Sequence, residues 1–299
     1  MGILGQGSSH GACSLLHAAG LGYGSSIALD LSCTVRLLDK PSKRELKDDS
    51  SLLDNILDSW VASGRKLPKG LGKKELYWAV ATKIPSKRGL KSSSAVSVAA
   101  IRALAQSVDA DLTTAEIVDI AASAQISAGV SLTGSKDDSW ACAEPGWALI
   151  DINTEKSADG LILKSPGPNP EDWTVLLLIR EQRENIPDLE MFPSQQNAFS
   201  QALQALQDGQ WSVAITWNGR AMVGVTQDLA GRKIANDAFV NGARAAGITG
   251  SGPAITVIVP SVSTQSVERL KNWYSSRYKD IEIIETKFKS DDSIVDEDL

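Results

Sequence analysis

Three consecutive serines stand directly before a predicted helix, in the segment "IPSKRGLKSSSA" of residues 84–95. The residues that follow, "VSVAAIRALAQ", are apolar or small at helical spacing, so the serines fall at the start of that helix. The first turn of a helix carries N–H groups without intrahelical partners and a partial positive charge. One serine is enough for a cap. The run of serines, the glycine at position 89 and three basic residues favour an anion such as phosphate; the basic residues are Lys87, Arg88 and Lys91.

A second candidate site contains the adjacent acids Asp137 and Asp138, within "SLTGSKDDSWACAEPGW". These acids are predicted to open a helix, where carboxylates commonly serve as caps or interact with the helix dipole, so a structural role stays open. A third candidate is "GITGSGPAITVIV", in which glycines precede a predicted buried strand. A glycine-rich turn before a strand is common, so this segment by itself predicts no function.

Two familiar nucleotide-binding patterns are excluded by the order of residues. A Walker A loop requires a second glycine directly before the lysine and a Ser or Thr after it, and the serine segment lacks that glycine. The segment "GLGYGSS" at residues 20–26 leads into a predicted strand, whereas a dinucleotide fingerprint must open a helix.

Composition is that of an ordinary globular protein. The chain has 299 residues, 42% of them hydrophobic and 22% charged, and a net charge of −6. No apolar run approaches a membrane span, and the N-terminus lacks a basic region of the kind that begins a secretory signal. We therefore expect a cytoplasmic protein that contacts neither membrane nor nucleic acid. The acidic end, "SDDSIVDEDL", is expected to be solvated.

Cysteine and histidine are scarce. Cys13, Cys33 and Cys142 are widely separated, which predicts buried free thiols and makes a zinc site the weaker reading. His10 and His17 are the only histidines, so a Ser-His-Asp hydrolase or a histidine-rich metal site is disfavoured.

The elements that would position these residues alternate in type over the first half of the chain. Residues 25–39 predict one long strand or a hairpin, residues 51–63 a helix, and "LYWAVATKIP" a strand that leads into the serine segment. Thr113 and Glu116 predict a capping box at the start of another helix.

Residues 166–170, "PGPNP", are predicted to link two domains, which we place at 1–165 and 166–299. The second part begins with "WTVLLLIRE" and a helix around Phe199, followed by the segments "WSVAITW" and "RAMVGVT". A helix over 232–246, the strand "AITVIVP", a helix around Leu270 and the strand "IEIIETKF" complete it. This order predicts an α+β fold in which two helices cover an antiparallel sheet.

Taken in order, these segments resemble the GHMP kinase superfamily, which includes galactokinase, homoserine kinase and mevalonate kinase. The signature P-x3-G-L-x-S-S-x-A corresponds to Pro85, Gly89, Leu90, Ser92, Ser93 and Ala95, and the late glycine motif to "TGSGPAI". Within the superfamily, "GLKSSSA", "GACSLLHAAGLGYGSSIALDL" and "TGSKDDS" look most like the archaeal-type shikimate kinases. The resemblance implies a two-domain GHMP kinase-like fold and transfer of the ATP γ-phosphate to the 3-hydroxyl of shikimate.

The resemblance also implies roles for individual residues. Ser93 falls where related kinases bind Mg²⁺ through a serine, and Asp137 falls at the catalytic acid, one residue before a position that varies among Asn, Gln and Asp. The segment expected to bind ATP consists of Pro85, Ser86, Lys87, Arg88, Gly89, Leu90, Lys91, Ser92, Ser93, Ser94 and Ala95. Phosphoryl transfer depends mainly on positioning and charge stabilisation, with one acid to take the hydroxyl proton.

Some points depart from the family pattern or stay open. His17 stands where these kinases often have Asn, and the metal-binding glutamate of several relatives is replaced by uncharged residues in "SAQISAGVSLTG". A carboxylate substrate needs a basic partner, for which Arg36, Lys136 and Arg244 are candidates. Homoserine, mevalonate or pantoate are alternative acceptors, and a ligand sensor without kinase activity is an alternative function. The sequence does not decide the oligomeric state.

Overall fold

The computed structural model describes residues 2–42, 51–182 and 187–289. Its strands are β1 Ile3–Leu16, β2 Tyr23–Leu38, β3 Tyr77–Thr82, β4 Trp147–Asp151, β5 Leu161–Ser165, β6 Trp173–Ile179, β7 Ala245–Ile248, β8 Ile255–Pro260 and β9 Glu282–Thr286. Its α-helices are α1 Leu52–Ala62, α2 Ser92–Ser107, α3 Thr114–Ser127, α4 Lys136–Ala143, α5 Ser157–Gly160, α6 Gln196–Gln207, α7 Trp211–Thr226, α8 Leu229–Val240 and α9 Thr264–Arg277.

The first sheet is antiparallel and is organised around the long strand β2. β1 pairs along one edge of β2, while β3 and β4 pair with opposite ends of its other edge, and β5 extends the sheet beyond β4. Glycines in β1 let helix α2 approach closely, because a Cβ on Gly5 or Gly7 would overlap backbone oxygens of α2. The close approach fixes the second half of α2 against the sheet.

The second sheet has the order β7-β8-β6-β9 and is also antiparallel. Its central strands are continuous apolar runs, and β6 is buried from Val175 to Ile179. Helix α7 packs directly on β7, because Gly219 and Gly247 bring the two backbones together where a Cβ would clash. Four helices, α6 to α9, accompany this sheet in the described part of the chain.

The sequence predicted the mixed helix and antiparallel-sheet fold, and several element boundaries differ in detail. Residues 211–217 and 220–226 form the single helix α7. The helix predicted over 232–246 is wrong at its C-terminal end: α8 stops at Val240, and Gly242 has a φ of 101°, after which β7 begins. Four helices rather than two belong to the second part, and strands β1, β4 and β5 were not predicted.

The two sheets fall on either side of the proline-rich segment 166–170, but their buried side chains form one continuous apolar core. Backbone contacts also join them: Asp30 N donates to Lys287 O at 2.9 Å, and Leu29 forms an isolated bridge with Phe288. The division into domains at residue 165 therefore stays a prediction.

The three cysteines are free and buried, as predicted. Of the helices in the described ranges, none has the length and apolarity that a bilayer crossing requires. The acidic segment 290–299 lies outside the described residues.

Candidate active site

The loop at residues 85–91, called here the serine loop, leads into the first turn of α2. Its backbone is left-handed at Lys87, Gly89 and Lys91, with φ values of 55°, 85° and 66°. Lys91 occupies the N-cap position of α2 without a side-chain cap. The hydroxyls of Ser92 and Ser93 have no hydrogen-bond partner among the described residues. The start of α2 thus presents N–H groups and hydroxyls that could bind an anion.

The ammonium of Lys91 turns away from the helix start and into the protein. It lies 2.8 Å from Asp138 Oδ1 and donates to Ser14 Oγ at 2.6 Å. Asp138 also accepts a hydrogen bond from Ser26 Oγ at 2.7 Å. One buried network therefore joins the serine loop, strands β1 and β2, and the first turn of α4.

Asp137 is buried, at 4% relative exposure, and lies against a glycine in β2. A Cβ on Gly24 would lie 2.7 Å from each carboxylate oxygen of Asp137, so only glycine leaves room for this side chain. Gly24 is paired with Ile150 of β4, which fixes its backbone. The first turn of α4 thus places the acid against the central strand of the first sheet.

The two neighbouring acids have pKa values that move in opposite directions. Burial, and then the charge of Asp138, raise the pKa of Asp137 well above the ordinary aspartate value. Burial also acts to raise the pKa of Asp138, but the ammonium of Lys91 and the hydroxyl of Ser26 outweigh it and leave this pKa lowered. The charges of Asp138 and Asp137 in turn overcome the effect of burial and raise the pKa of Lys91. The two carboxyls of the pair therefore differ: Asp137 takes up a proton more readily than an ordinary aspartate, because its pKa is raised, and Asp138 less readily, because its pKa is lowered.

A second turn, residues 249–253, packs on the serine loop and is called here the glycine turn. Thr249 Oγ1 donates to Gly89 O at 3.2 Å and accepts from Ser14 N at 2.9 Å. A Cβ on Gly89 would overlap the carbonyl oxygen of Thr249, so the contact requires glycine there as well. Gly250 N donates to Ser14 Oγ at 3.1 Å, which links this turn to the Lys91 network.

His17 lies at the other side of the glycine turn. Its Nε2 is 3.2 Å from Ser251 Oγ, its backbone N donates to Asn218 Oδ1 at 2.8 Å, and its ring packs against Phe192. Nδ1 accepts from Ala19 N, which assigns the remaining ring proton to Nε2. His17 is thus placed at the junction of the β1 end, the glycine turn and α7.

Gln125 of α3 connects the two helices that begin at the site. It is fully buried; its Oε1 accepts from Ser94 Oγ at 3.0 Å and its Nε2 donates to Ser139 Oγ at 3.0 Å. Ser94 follows the two unpartnered serines of α2, and Ser139 lies two residues after Asp137. The amide of Gln125 therefore sets the distance between the serine loop and the acid pair.

The structure brings together the serine loop, Asp137 and Asp138, and it places His17 at the adjoining glycine turn. It does not bring the three predicted carboxylate-binding cations to this place. Arg36 lies near the far end of β2 and donates to Gln6 Oε1 at 2.7 Å; Arg244 is exposed at the start of β7. Lys136 belongs to α4, but its ammonium donates to Thr154 O.

The sequence did not identify several residues of the site, namely Ser14, Ser26, Gln125, Asn218 and Thr249. Serine, threonine and amide side chains are common everywhere, and their partners here are up to 236 residues away in the chain. The sequence did show that the glutamate expected before Asp137 is absent. It did not show that a nearby glutamine, Gln125, is buried and joins two helices.

The few protein oxygen atoms available at the site fit a magnesium ion whose ligands are mainly phosphate oxygens. No cluster of three or more His, Cys, Asp or Glu side chains with metal-binding geometry occurs among the described residues. Both polar atoms of Gln125 are bonded to serines, whereas the hydroxyl of Ser93 is unpartnered. Mg²⁺ retains waters readily and commonly combines few protein ligands with substrate phosphates.

Comparisons with known proteins find a matching family model and similar sequences. Residues 53–146 match the family model of the GHMP kinases N-terminal domain. The shikimate kinase of Pyrococcus furiosus is 28% identical over 234 residues, 72% of this chain and 77% of that protein. The shikimate kinase of Methanocella arvoryzae is 27% identical over 288 residues, 91% of this chain and 90% of that protein.

Solved structures show the same fold at lower identity. The mevalonate kinase of Methanococcus jannaschii superposes with a TM-score of 0.73 at 14% identity, covering 95% of this chain and 98% of that one. The homoserine kinase of Cytophaga hutchinsonii gives a TM-score of 0.65 at 18% identity, with 95% of each chain covered. These likenesses concern the fold alone.

Proposed function

We propose that this chain, which belongs to the GHMP kinases by sequence family and by fold, phosphorylates the 3-hydroxyl of shikimate with ATP. The observation that carries the proposal is the buried link from the serine loop through Lys91 to the acid pair. An anion-binding helix start and a carboxyl with a raised pKa are thereby held in one unit. The similarity to two archaeal shikimate kinases supports shikimate as the acceptor. The predicted cytoplasmic location stays a prediction.

In this proposal the ATP phosphates are bound by the serine loop and the start of α2. The N–H groups of the first turn and the hydroxyls of Ser92 and Ser93 would donate to phosphate oxygens. Ser93 would bind Mg²⁺ together with those oxygens, and the ion when bound neutralises charge on the phosphates. Lys91 would stabilise the serine loop from the protein interior, since its ammonium is already bonded to Asp138 and Ser14.

Asp137 is proposed as the catalytic base. A carboxyl whose pKa is raised by burial holds its negative charge less readily, so it accepts a proton more strongly when it is ionised. Asp138 stays ionised because Lys91 and Ser26 stabilise its charge, so it serves to orient rather than to accept a proton. The proton would pass from the acceptor hydroxyl to Asp137 as the hydroxyl oxygen bonds to the γ-phosphorus and the bond from that phosphorus to the bridging oxygen breaks, with ADP as the leaving group.

The proposal is tested by ADP release with ATP and Mg²⁺ in the presence of shikimate, homoserine, mevalonate or pantoate, each in turn. We expect turnover with shikimate alone, and a 3-phosphate product identified by phosphorus NMR. Ser93→Ala should fold normally and should lose much of its Mg²⁺-dependent turnover. Turnover with another acceptor instead would reject shikimate, and no turnover with any of them would favour the ligand sensor.

A further inference from the structure

Arg88 is half-buried, and two of its guanidinium nitrogens are buried without a partner among the described residues. Its Nε and Nη1 are buried and have no hydrogen-bond partner among residues 2–42, 51–182 and 187–289. Arginine remains charged at any pH that a folded protein tolerates. Buried N–H donors in native proteins are nearly always paired, so two unpaired ones on a single side chain call for an explanation. A bound anion would supply the missing partner.

The backbone of Arg88 is fixed at the contact between the serine loop and the glycine turn. Its carbonyl oxygen accepts from Ala254 N at 3.1 Å, directly after that turn. The next residue, Gly89, accepts from Thr249 Oγ1 and has no room for a side chain. The guanidinium is therefore attached to a fixed point of the candidate site rather than to a surface segment.

The neighbouring cations are already engaged by the protein. Lys91 is bonded to Asp138 and Ser14, and Arg180 forms an ion pair with Asp228. Arg102 donates to two backbone carbonyls, those of Ser8 and Ala143. Among these cations Arg88 is the one whose donors are unused, and the three cations proposed from the sequence lie elsewhere.

We infer that Arg88 binds the carboxylate of the phosphoryl acceptor. The inference rests on the proposed function, because it concerns the acceptor of the same reaction. A guanidinium fork matches the two oxygens of a carboxylate in a planar, bidentate pair. The sequence placed Arg88 in the segment expected to bind ATP, but the N–H groups and hydroxyls at the start of α2 are another set of donors for the phosphates, which therefore do not require Arg88. Shikimate carries a carboxylate, and so do homoserine, mevalonate and pantoate.

The first test compares Arg88→Gln and Arg88→Lys in steady-state kinetics with each substrate varied separately. A hydrogen-bonded charge is worth about 1.5–3 kcal/mol, so the KM for the acceptor should rise roughly 10- to 100-fold in Arg88→Gln. The KM for ATP should not change. Arg88→Lys should recover part of the loss, since it keeps the charge without the fork. Arg220→Gln, which removes an exposed arginine stacked on Trp217, is the matched control.

The second test changes the acceptor instead of the protein. The wild-type protein should discriminate against the methyl ester of its acceptor, whereas Arg88→Gln should use acid and ester equally poorly. An ester penalty that is the same in both proteins overturns the inference. A rise in the KM for ATP alone also overturns it, and would assign Arg88 to a nucleotide phosphate.

A binding measurement keeps the inference testable without turnover. Removing an unpaired buried charge should not lower the thermal midpoint of the ligand-free protein, so Arg88→Gln should fold at least as stably as the wild type. Shikimate without ATP should raise the midpoint of the wild type and not that of Arg88→Gln. Equal stabilisation of both proteins overturns the inference. If the protein phosphorylates another acid in place of shikimate, the same tests apply to that acceptor, so failure of the proposed substrate is distinguished from failure of this inference.

Discussion

Lys91 Nζ lies 2.8 Å from Asp138 Oδ1, and this ion pair joins the loop before α2 to the first turn of α4. The side chains are 7% and 16% exposed, so water screens the pair weakly. The ion pair thereby holds in fixed relation the helix start that is proposed to bind phosphate and the helix turn that carries the two acids.

Lys91→Met should destabilise the protein by about 3–5 kcal/mol near neutral pH, because it leaves the buried carboxylate of Asp138 without its counter-charge. The pKa of Asp138 is lowered in the folded state, so the contribution of this group is present above its ordinary pKa and is lost as pH falls through the lowered one. Urea unfolding at pH 7 measures the loss. Lys164→Met, which breaks a surface pair with Glu144, should cost about 0–1 kcal/mol. Equal midpoints for the two variants would contradict the prediction.

Asp137→Asn should reduce kcat by a factor on the order of 10²–10⁴, because it removes the proposed base and keeps the size of the side chain. The wild-type profile of kcat/KM should lose activity toward low pH with a midpoint above the ordinary aspartate pKa of about 3.9, since the pKa of Asp137 is raised. Asp138→Asn is the comparison. If it abolished turnover while Asp137→Asn stayed near normal, the base would be Asp138.

Asp137→Asn should also stabilise the protein, and increasingly so at higher pH. The folded state binds a proton at Asp137 more tightly than the unfolded state does, so wild-type stability falls as pH rises from the ordinary pKa to the raised one. Asparagine does not titrate and removes this slope. Thermal midpoints at pH 5 and pH 8 should show a larger gain at pH 8. Asp111→Asn, at an exposed position, should show none, and a pH-independent difference for Asp137→Asn would reject the raised pKa.

Gly24→Ala should displace the carboxylate of Asp137, since the added Cβ would lie 2.7 Å from both of its oxygens. We expect a loss of kcat of at least about tenfold, because small misplacements of a catalytic group are costly. The matched control is Gly72→Ala, an exposed position where the nearest atom is 3.5 Å away. Near-normal kcat in Gly24→Ala would show that the position of Asp137 is not critical.

Gln125→Ala should lower kcat more than it raises either KM, because it releases the link between α2 and α4 and leaves two buried serine hydroxyls unpaired. We expect about 1–3 kcal/mol of lost stability for each unpaired group. Gln125→Glu keeps the length and the acceptor, and its neutral carboxyl can donate one O–H to Ser139, so it should be intermediate at a pH where the new acid is neutral and worse where it is ionised. Unchanged kcat in both variants would assign Gln125 to stability alone.

The sequence determined the local features that depend on neighbouring residues. The serine run, the capping box of Thr113 and Glu116, and the acids that open α4 are all formed within one helical turn, where propensity and hydrogen bonding are local. The family signature around Gly89 made the fold predictable as well. The predicted element boundaries were less accurate where tertiary packing determines where an element ends, as in α7 and at the end of α8.

Only the tertiary structure decided which side chains meet. Lys91, Ser14, Ser26 and Asp138 come from four separate elements, and nothing in their sequence spacing indicates that they share one network. The same holds for Gly24 beneath Asp137, for the amide of Gln125 and for the unpartnered guanidinium of Arg88. Burial and the nearest charge set the pKa of each acid, and both are properties of the packed chain. The sequence therefore pointed to Asp137 and Asp138 together, and only the fold raised the pKa of Asp137 and paired Asp138 with Lys91.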